Sequence, residues 1–338
     1  MPPHISAVVP IYNEAGNIDT LHRRLDAALR SLGRPYEIVY VDDGSRDRSL
    51  ELLLETRRAD PERVVVVELY RNYGQFRAII AGFERARGDV VVTLDADLQN
   101  PPEEIPRLVR HLEEGGFDVV NGWRKERHDS PFRRLASRIA NRIAAALTGV
   151  PMRDYGCMLR AYRRELTRQV VACHEQSPYV PTLANALAGR TAEIEVAHAP
   201  RHSGRSHYSL WKLIALQYDM VTSFSVLPLR WLSLLGAFVC GVTLLCGATF
   251  AAAAAFVPGL RFGVVPVLVI LLFLLIGVLF LTLGFVGEYV GRIYNEVRQR
   301  PRYAIRAVHE GGTAPALRPA AANEDERRRR PIDLRDED

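Results

Sequence analysis

Two carboxylates, Asp95 and Asp97, sit two residues apart where the apolar run Val90 to Leu94 gives out, and an extended backbone sends alternate side chains to the same side. Two hard oxygen ligands on one face suit Mg²⁺ or Mn²⁺ already bound to a diphosphate, whose oxygens complete the coordination shell. The motif alone is weak, because the tail repeats its spacing in Asp336-Glu337-Asp338. Its place at the end of a strand is what gives Asp95-Ala96-Asp97 weight. Three further apolar runs end in polar clusters: Pro10-Ile11-Tyr12-Asn13-Glu14, Asp42-Asp43-Gly44-Ser45 and Arg71-Asn72-Tyr73-Gly74-Gln75. No G-x-x-x-x-G-K-[ST] loop occurs and no G-x-G-x-x-G follows the first run, so phosphate-loop and dinucleotide sites lose support. Four polar ends on one edge describe a pocket for something polar.

The elements that must position these residues follow from hydrophobic period. Ser6 to Tyr12, Glu37 to Val41, Val64 to Leu69 and Val90 to Leu94 read as strands, and Asn17 to Ser31 places Ile18, Leu21, Leu25, Ala28 and Leu29 at helical spacing. Continuous apolar strands alternating with helices predict an α/β fold with a parallel sheet covered on both faces. In such sheets ligands bind beyond the carboxyl ends of the strands, where the polar clusters lie.

Composition hides a second material. The 338 residues are 48% hydrophobic and 25% charged, with a mean hydropathy of −0.04, values typical of a soluble protein. Yet residues 231 to 287 hold one charged side chain, Arg261, leaving 82 of the 83 charges to the other 281 residues. Trp231 to Val257 is an uncharged run of 27 residues and Phe262 to Gly287 another of 26, each long enough to cross a hydrocarbon layer of about 30 Å. Arg230 before them and Arg292, Arg298, Arg300 and Arg302 after them, against Arg261 between, predict a hairpin with both ends in the cytoplasm. Nothing at the start resembles a leader peptide. Cys157 and Cys173 are isolated, Cys240 and Cys246 lie in the first run, and no C-x-x-C exists, so neither a zinc site nor a disulfide framework is indicated. Of the 44 basic residues behind the net charge of +5, all but Lys125 and Lys212 are Arg, a bias that reflects genome composition; no nucleic-acid partner is expected.

The expected organisation is a cytosolic catalytic domain over 1–208, an interfacial amphipathic helix over 209–230, spans over 231–257 and 262–287, a cytosolic juxtamembrane segment over 288–310 and a disordered tail over 311–338. The interfacial helix rests on the stripe Leu210, Leu213, Ile214, Gln217, Met220 and Val221, with Trp211, Lys212 and Tyr218 suited to a lipid boundary. Arg327 to Arg330 mark the tail.

Pro10-Ile11-Tyr12-Asn13-Glu14, Val41-Asp42-Asp43-Gly44-Ser45 and Asp95-Ala96-Asp97 resemble glycosyltransferase family 2, and two C-terminal spans resemble its polyprenyl-phosphate branch. Arg71 to Gln75, Leu94 to Val109, Asp154 to Arg164 and Gly287 to Tyr294 narrow the resemblance to members that move 4-deoxy-4-formamido-L-arabinose from UDP to undecaprenyl phosphate. The resemblance implies a GT-A (Rossmann-like) nucleotide-sugar domain and an inverting, Mg²⁺- or Mn²⁺-dependent transfer at the cytoplasmic face of the inner membrane. It further implies a role in lipid A modification and polymyxin resistance, and a homotetramer.

By the same resemblance, Pro10, Tyr12, Glu14 and Asp43 would hold the uridine, Asp43 accepting from the uracil imide. Asp42, Asn72, Gly74 and Gln75 would complete the nucleotide side. Asp95, Asp97 and Gln99 would engage metal and diphosphate, and Asp154 would lie near the sugar. Arg124, Arg133, Ser137, Arg201, Arg205 and His207 would meet the acceptor phosphate. The chain departs from the pattern where relatives commonly carry an acidic residue for Arg205 and Lys for His207, a change that makes the acceptor-phosphate contact pH-sensitive unless Arg205 takes over that role. A phosphate monoester is already anionic at neutral pH, so arginines that orient it can replace a general base. Glucose, N-acetylglucosamine and mannose remain alternative sugars. A processive polysaccharide synthase would need Q-x-x-R-W, and Leu227 stands at its glutamine position before Arg230-Trp231.

Overall fold

The computed structural model describes residues 2–124, 152–173, 179–198, 264–297 and 301–311, with isolated positions between 145 and 249. Arg133, Ser137, Arg201, Arg205, His207, the 209–230 segment and the tail from 312 onward lie outside the described residues.

β-branched residues supply the centre of the sheet. Strands β1 (Ile5–Ile11), β2 (Tyr36–Asp42), β3 (Val64–Leu69) and β4 (Val90–Thr93) are buried along almost their whole length, as strands covered on both faces must be. They pair in parallel in the order β3-β2-β1-β4. Helices α1 (Ile18–Arg30), α2 (Ser49–Ala59) and α3 (Gln75–Arg85) make the crossovers. α1 buries Ile18, Leu21, Leu25, Ala28 and Leu29, the five positions its period selects. Each fully buried Leu or Ile there contributes about 1.5–3 kcal/mol relative to exposure. α3 sits closely on β1 because position 82 is glycine: a Cβ there would fall 2.3 Å from Val8 Cγ1.

The full sheet is mixed rather than purely parallel. After α4 (Ile105–Gly115) come β5 (Val119–Arg124), β6 (Arg160–Arg163), α5 (Arg164–Ala172), α6 (Val180–Leu187) and β7 (Thr191–Val196). β6 enters antiparallel between β4 and β5, and β7 runs parallel to β5 at one edge.

Helix α7 spans Val264–Val297, ten residues beyond the expected end of the second apolar run, and its stretch Leu271–Gly291 is long and apolar enough to cross a membrane. Most large apolar side chains described on that stretch are exposed, unlike those of a soluble core helix. Described residues between 232 and 249 are also helical, and a Cβ at Gly236 would lie 3.9 Å from Val278 Cγ1 of α7.

The segment expected to be juxtamembrane instead re-enters the sheet. β8 (Ile305–His309) pairs antiparallel with β3 and covers that strand's outer edge. Glu68 of β3 meets Arg306 at 3.2 Å and His309 at 3.7 Å. Arg302 donates to the carbonyls of Val171 and Cys173 at the end of α5, satisfying orphan acceptors of its last turn.

Candidate functional site

The ends of β1 and β2 are sewn into one rim. Asp43 N donates to Ile11 O (2.8 Å), Asn13 N to Ser45 Oγ (3.0 Å), Arg46 N to Asn13 Oδ1 (2.8 Å), Glu14 N to Ser49 Oγ (2.9 Å) and Ala15 N to Asp47 Oδ2 (3.1 Å). Asn13 adopts a left-handed φ of 55°, a conformation asparagine tolerates better than most residues. Tyr12 stands 41% exposed on this rim, free to stack on a flat ligand. Glu14 Oε2 accepts from Asn17 Nδ2 (2.6 Å) at the entrance of α1, so its carboxylate already serves the turn.

Asp43 ties this rim to the loop after β3. Its Oδ1 accepts from Tyr73 N (2.7 Å) and its Oδ2 from Gly74 N (2.8 Å). Each oxygen keeps a lone pair for a further donor. Burial raises the pKa of Asp43 to about 6, the two backbone hydrogen bonds opposing that rise. Asp42 is raised too, by burial; its Oδ2 accepts from Ser45 N (3.2 Å), while Oδ1 is buried with no hydrogen-bond partner among the described residues. The loop approaches so closely that only glycine fits beneath it: a Cβ at Gly44, whose φ is +67°, would lie 2.5 Å from the Arg71 carbonyl carbon.

The same loop reaches the acidic pair. Gln75, first residue of α3, donates through Nε2 to Asp95 Oδ1. Asp95, Asp97 and Gln99 are half-exposed while Ala96, Leu98 and Asn100 between them are buried, so the alternation turns both carboxylates to the open side. Asp97 Oδ1 accepts from Gln99 N (3.1 Å), and Leu98 holds φ at 61° in the turn. Among the described residues no group of three or more His, Cys, Asp or Glu could hold a metal. Two protein carboxylates beside an open face fit an ion that takes its remaining oxygens from a diphosphate.

The structure joins two residues that the sequence treats separately. Arg124 ends β5, and its guanidinium grips Asp154 bidentately, Nε to Oδ2 at 2.7 Å and Nη2 to Oδ1 at 3.1 Å. Asp154 is 2% exposed. Burial opposes the charge on Arg124, but the hydrogen bonds and charge of Asp154 outweigh it and raise its pKa. The fork uses Nε and one Nη2 N–H of Arg124, which leaves Nη1 and the other Nη2 N–H for the acceptor phosphate expected there. Gly156 N (3.1 Å) and the backbone N of Arg124 (3.4 Å) add two further donors to Asp154. Cys157 is fully buried, and burial pushes its thiol up to about 11.

Of the expected residues, the structure gathers Pro10, Tyr12, Glu14, Asp42, Asp43, Asn72, Gly74, Gln75, Asp95, Asp97 and Gln99 along the carboxyl ends of β1 to β4, with Arg124 and Asp154 beyond β4. Sequence reasoning missed Asp47 and Ser49, whose hydrogen bonds fix the rim, and the buried Arg160. Asp47 precedes a helix at cap-like spacing, a signal that could have found it.

The profile of Glycosyl transferase family 2 matches residues 6–171. The undecaprenyl-phosphate 4-deoxy-4-formamido-L-arabinose transferase of Pseudomonas paraeruginosa is 50% identical over 323 residues, 94% of this chain and 93% of that one. The enzyme of the same name from Pseudomonas aeruginosa is 51% identical over 310 residues, 90% of each chain, and that from Pectobacterium atrosepticum 48% over 322 residues, 92% of this chain and 95% of that one. Among solved structures, glucosyl-3-phosphoglycerate synthase from Mycobacterium tuberculosis in complex with Mn²⁺ and UDP-glucose is 20% identical, covering 65% of this chain and 77% of that chain at a TM-score of 0.47. With the family profile matching residues 6–171 and half of all residues shared across nine-tenths of these relatives, this chain belongs to glycosyltransferase family 2.

Proposed function

We propose that this protein transfers 4-deoxy-4-formamido-L-arabinose from its UDP derivative to undecaprenyl phosphate at the cytoplasmic face of the inner membrane, with inversion, as a step of lipid A modification that confers polymyxin resistance. One observation carries the reading: relatives of that name share about half their residues with this chain along nearly its whole length. Tyr12, Pro10 and Glu14 face the uridine, and Asp43 accepts the uracil imide N–H on a remaining lone pair. Asp42, Asn72 and Gly74 line the nucleotide side. Asp95 and Asp97, with Gln99, would hold Mg²⁺ or Mn²⁺, an ion that offsets the charge gathering on the departing diphosphate. Arg133, Ser137, Arg201, Arg205 and His207 orient the acceptor phosphate, which needs no general base. The Arg124–Asp154 fork borders the sugar as a net-neutral unit. The working enzyme is a homo-oligomer, a tetramer.

The membrane hairpin belongs to the same proposal. β7 and β8 lie in one sheet, so the chain between Val196 and Ile305 leaves and returns to one side of the bilayer and crosses it an even number of times. α7 provides one crossing; the run from 231 to 257, whose Gly236 rests against Val278, provides the other. Both ends of the chain then face the cytoplasm.

The purified full chain in detergent, given undecaprenyl phosphate and a panel of UDP-sugars, turns over the formamido-arabinose donor in preference to glucose, N-acetylglucosamine and mannose donors; preference for any of those three replaces the sugar assignment. Asp43 adds a pH signature. Because its pKa is raised, the folded chain holds that proton more tightly than the unfolded chain, so the stability it contributes is complete below about pH 4 and is lost as pH rises through about 6. Donor binding runs the other way, since only the ionised form accepts without competition from its own proton. Donor KM therefore rises about tenfold between pH 7 and pH 5; a flat profile removes Asp43 from the uracil.

A further inference from the structure

Arg160 opens β6 and is among the largest fully buried side chains described, with no measurable exposure. Its hydrogen-bond partners among the described residues are all neutral. Nε donates to Cys157 O (2.7 Å), Nη2 to Tyr155 O (3.1 Å) and Asp154 O (3.3 Å), and Nη1 to Asn121 Oδ1. A buried guanidinium without a carboxylate partner costs stability, and simple packing would be served better by an apolar residue of the same volume. What it supplies is geometry: one planar fork gathers three carbonyls of the 154–157 loop and fastens them to β5.

The fastening continues on both sides. Asn121 Nδ2 donates to Asn185 Oδ1 (2.8 Å) and Asn185 Nδ2 to Asn121 Oδ1 (3.2 Å), joining the loop to α6. Tyr179 donates its hydroxyl to Tyr155 O (3.0 Å), and its ring stands edge-on to Phe76 with centroids 4.7 Å apart. Phe76 adjoins Gln75, the donor to Asp95. The loop that carries Asp154 is thereby connected to the loop that aims Asp95.

We propose that Arg160 is a positioning residue for glycosyl transfer: it touches no substrate, and it holds the 154–157 loop so that the Arg124–Asp154 fork and the Gln75–Asp95 pair stand in register. The proposal rests on the transferase reading above, and wild-type enzyme assayed in parallel separates the two. A wild type inactive with the formamido-arabinose donor but active with another UDP-sugar overturns the sugar reading and leaves that other sugar as the probe for Arg160. The variants are Arg160→Lys, which keeps the charge and loses the planar fork, Tyr179→Phe, which removes one hydroxyl, and their combination.

Per folded enzyme, Arg160→Lys lowers kcat about 10- to 100-fold, as a misplacement of reacting groups by about an ångström does, with donor KM within about threefold of wild type. Tyr179→Phe lowers kcat about threefold, and the double variant falls short of the product of the two, because both residues hold one loop. A wild-type kcat in folded Arg160→Lys, or a loss confined to the yield of folded protein, overturns the proposal. So does a strictly multiplicative double variant. If Arg160→Lys does not fold, an unchanged kcat in Tyr179→Phe overturns it and a lowered kcat at unchanged donor KM supports it.

Discussion

Asp97→Asn lowers transfer by about 10²- to 10³-fold or more while the melting temperature stays at the wild-type value. The two halves of that result have separate causes. Asp97 is half-exposed, and its Oδ1 accepts from Gln99 N at 3.1 Å, a bond that an asparagine oxygen accepts equally well. That contact does not depend on the charge. The chemistry does: a neutral amide beside Asp95 leaves a single anionic ligand for a divalent ion. Titration of the variant with Mn²⁺, followed by paramagnetic resonance in the presence of UDP, shows weakened binding, and this readout is independent of turnover. Undiminished activity in the purified variant removes Asp97 from the metal site.

Asp154→Ala produces the opposite balance, a loss of fold as well as of function. It leaves the guanidinium of Arg124 buried and without its carboxylate, a change that costs about 3–5 kcal/mol. It also frees Gly156 N, which donates to the same carboxylate. Thermal unfolding of the full chain reads the loss directly. Arg124→Met combined with Asp154→Leu recovers most of that stability, since an apolar pair of similar volume replaces the ion pair, and it recovers no transfer. Recovery of both would reduce the fork to scaffolding.

How much of this was legible depended on distance along the chain. α1 could be read residue by residue because its buried positions, Ile18, Leu21, Leu25, Ala28 and Leu29, repeat at the period of the helix itself. The parallel strands could be read because both faces are covered and the runs are plainly apolar. β6 could not. It reads Arg-Ala-Tyr-Arg, and its first arginine looks like a surface residue until neutral carbonyls are seen to surround it. β8 has Arg306 and His309 among its five residues, and the Glu68 that faces them is remote in sequence.

The site shows the same division. Strand ends pointed to Asp43 and to Asp95 with Asp97, but no spacing rule reveals that Asp43 holds the backbone of Tyr73 and Gly74, or that Gln75 reaches Asp95. Arg124 and Asp154, 30 residues apart, were separately legible as polar and functional. Their union, which turns two charges into one neutral fork, is a product of tertiary structure.

The return of β8 to β3 also sets an order of events during synthesis. β3 ends at Leu69 and its outer neighbour begins at Ile305, so the ribosome must add 236 further positions before that edge can close. At about 20 residues per second this takes on the order of ten seconds, during which an apolar strand presents unpaired amides to every nascent chain nearby. In the proposed two-span topology, closure follows only after the intervening segment has been delivered into lipid. Until β8 arrives, β3 is an exposed apolar edge of the kind that invites edge-to-edge aggregation, so the last strand of the sheet also serves as its cover.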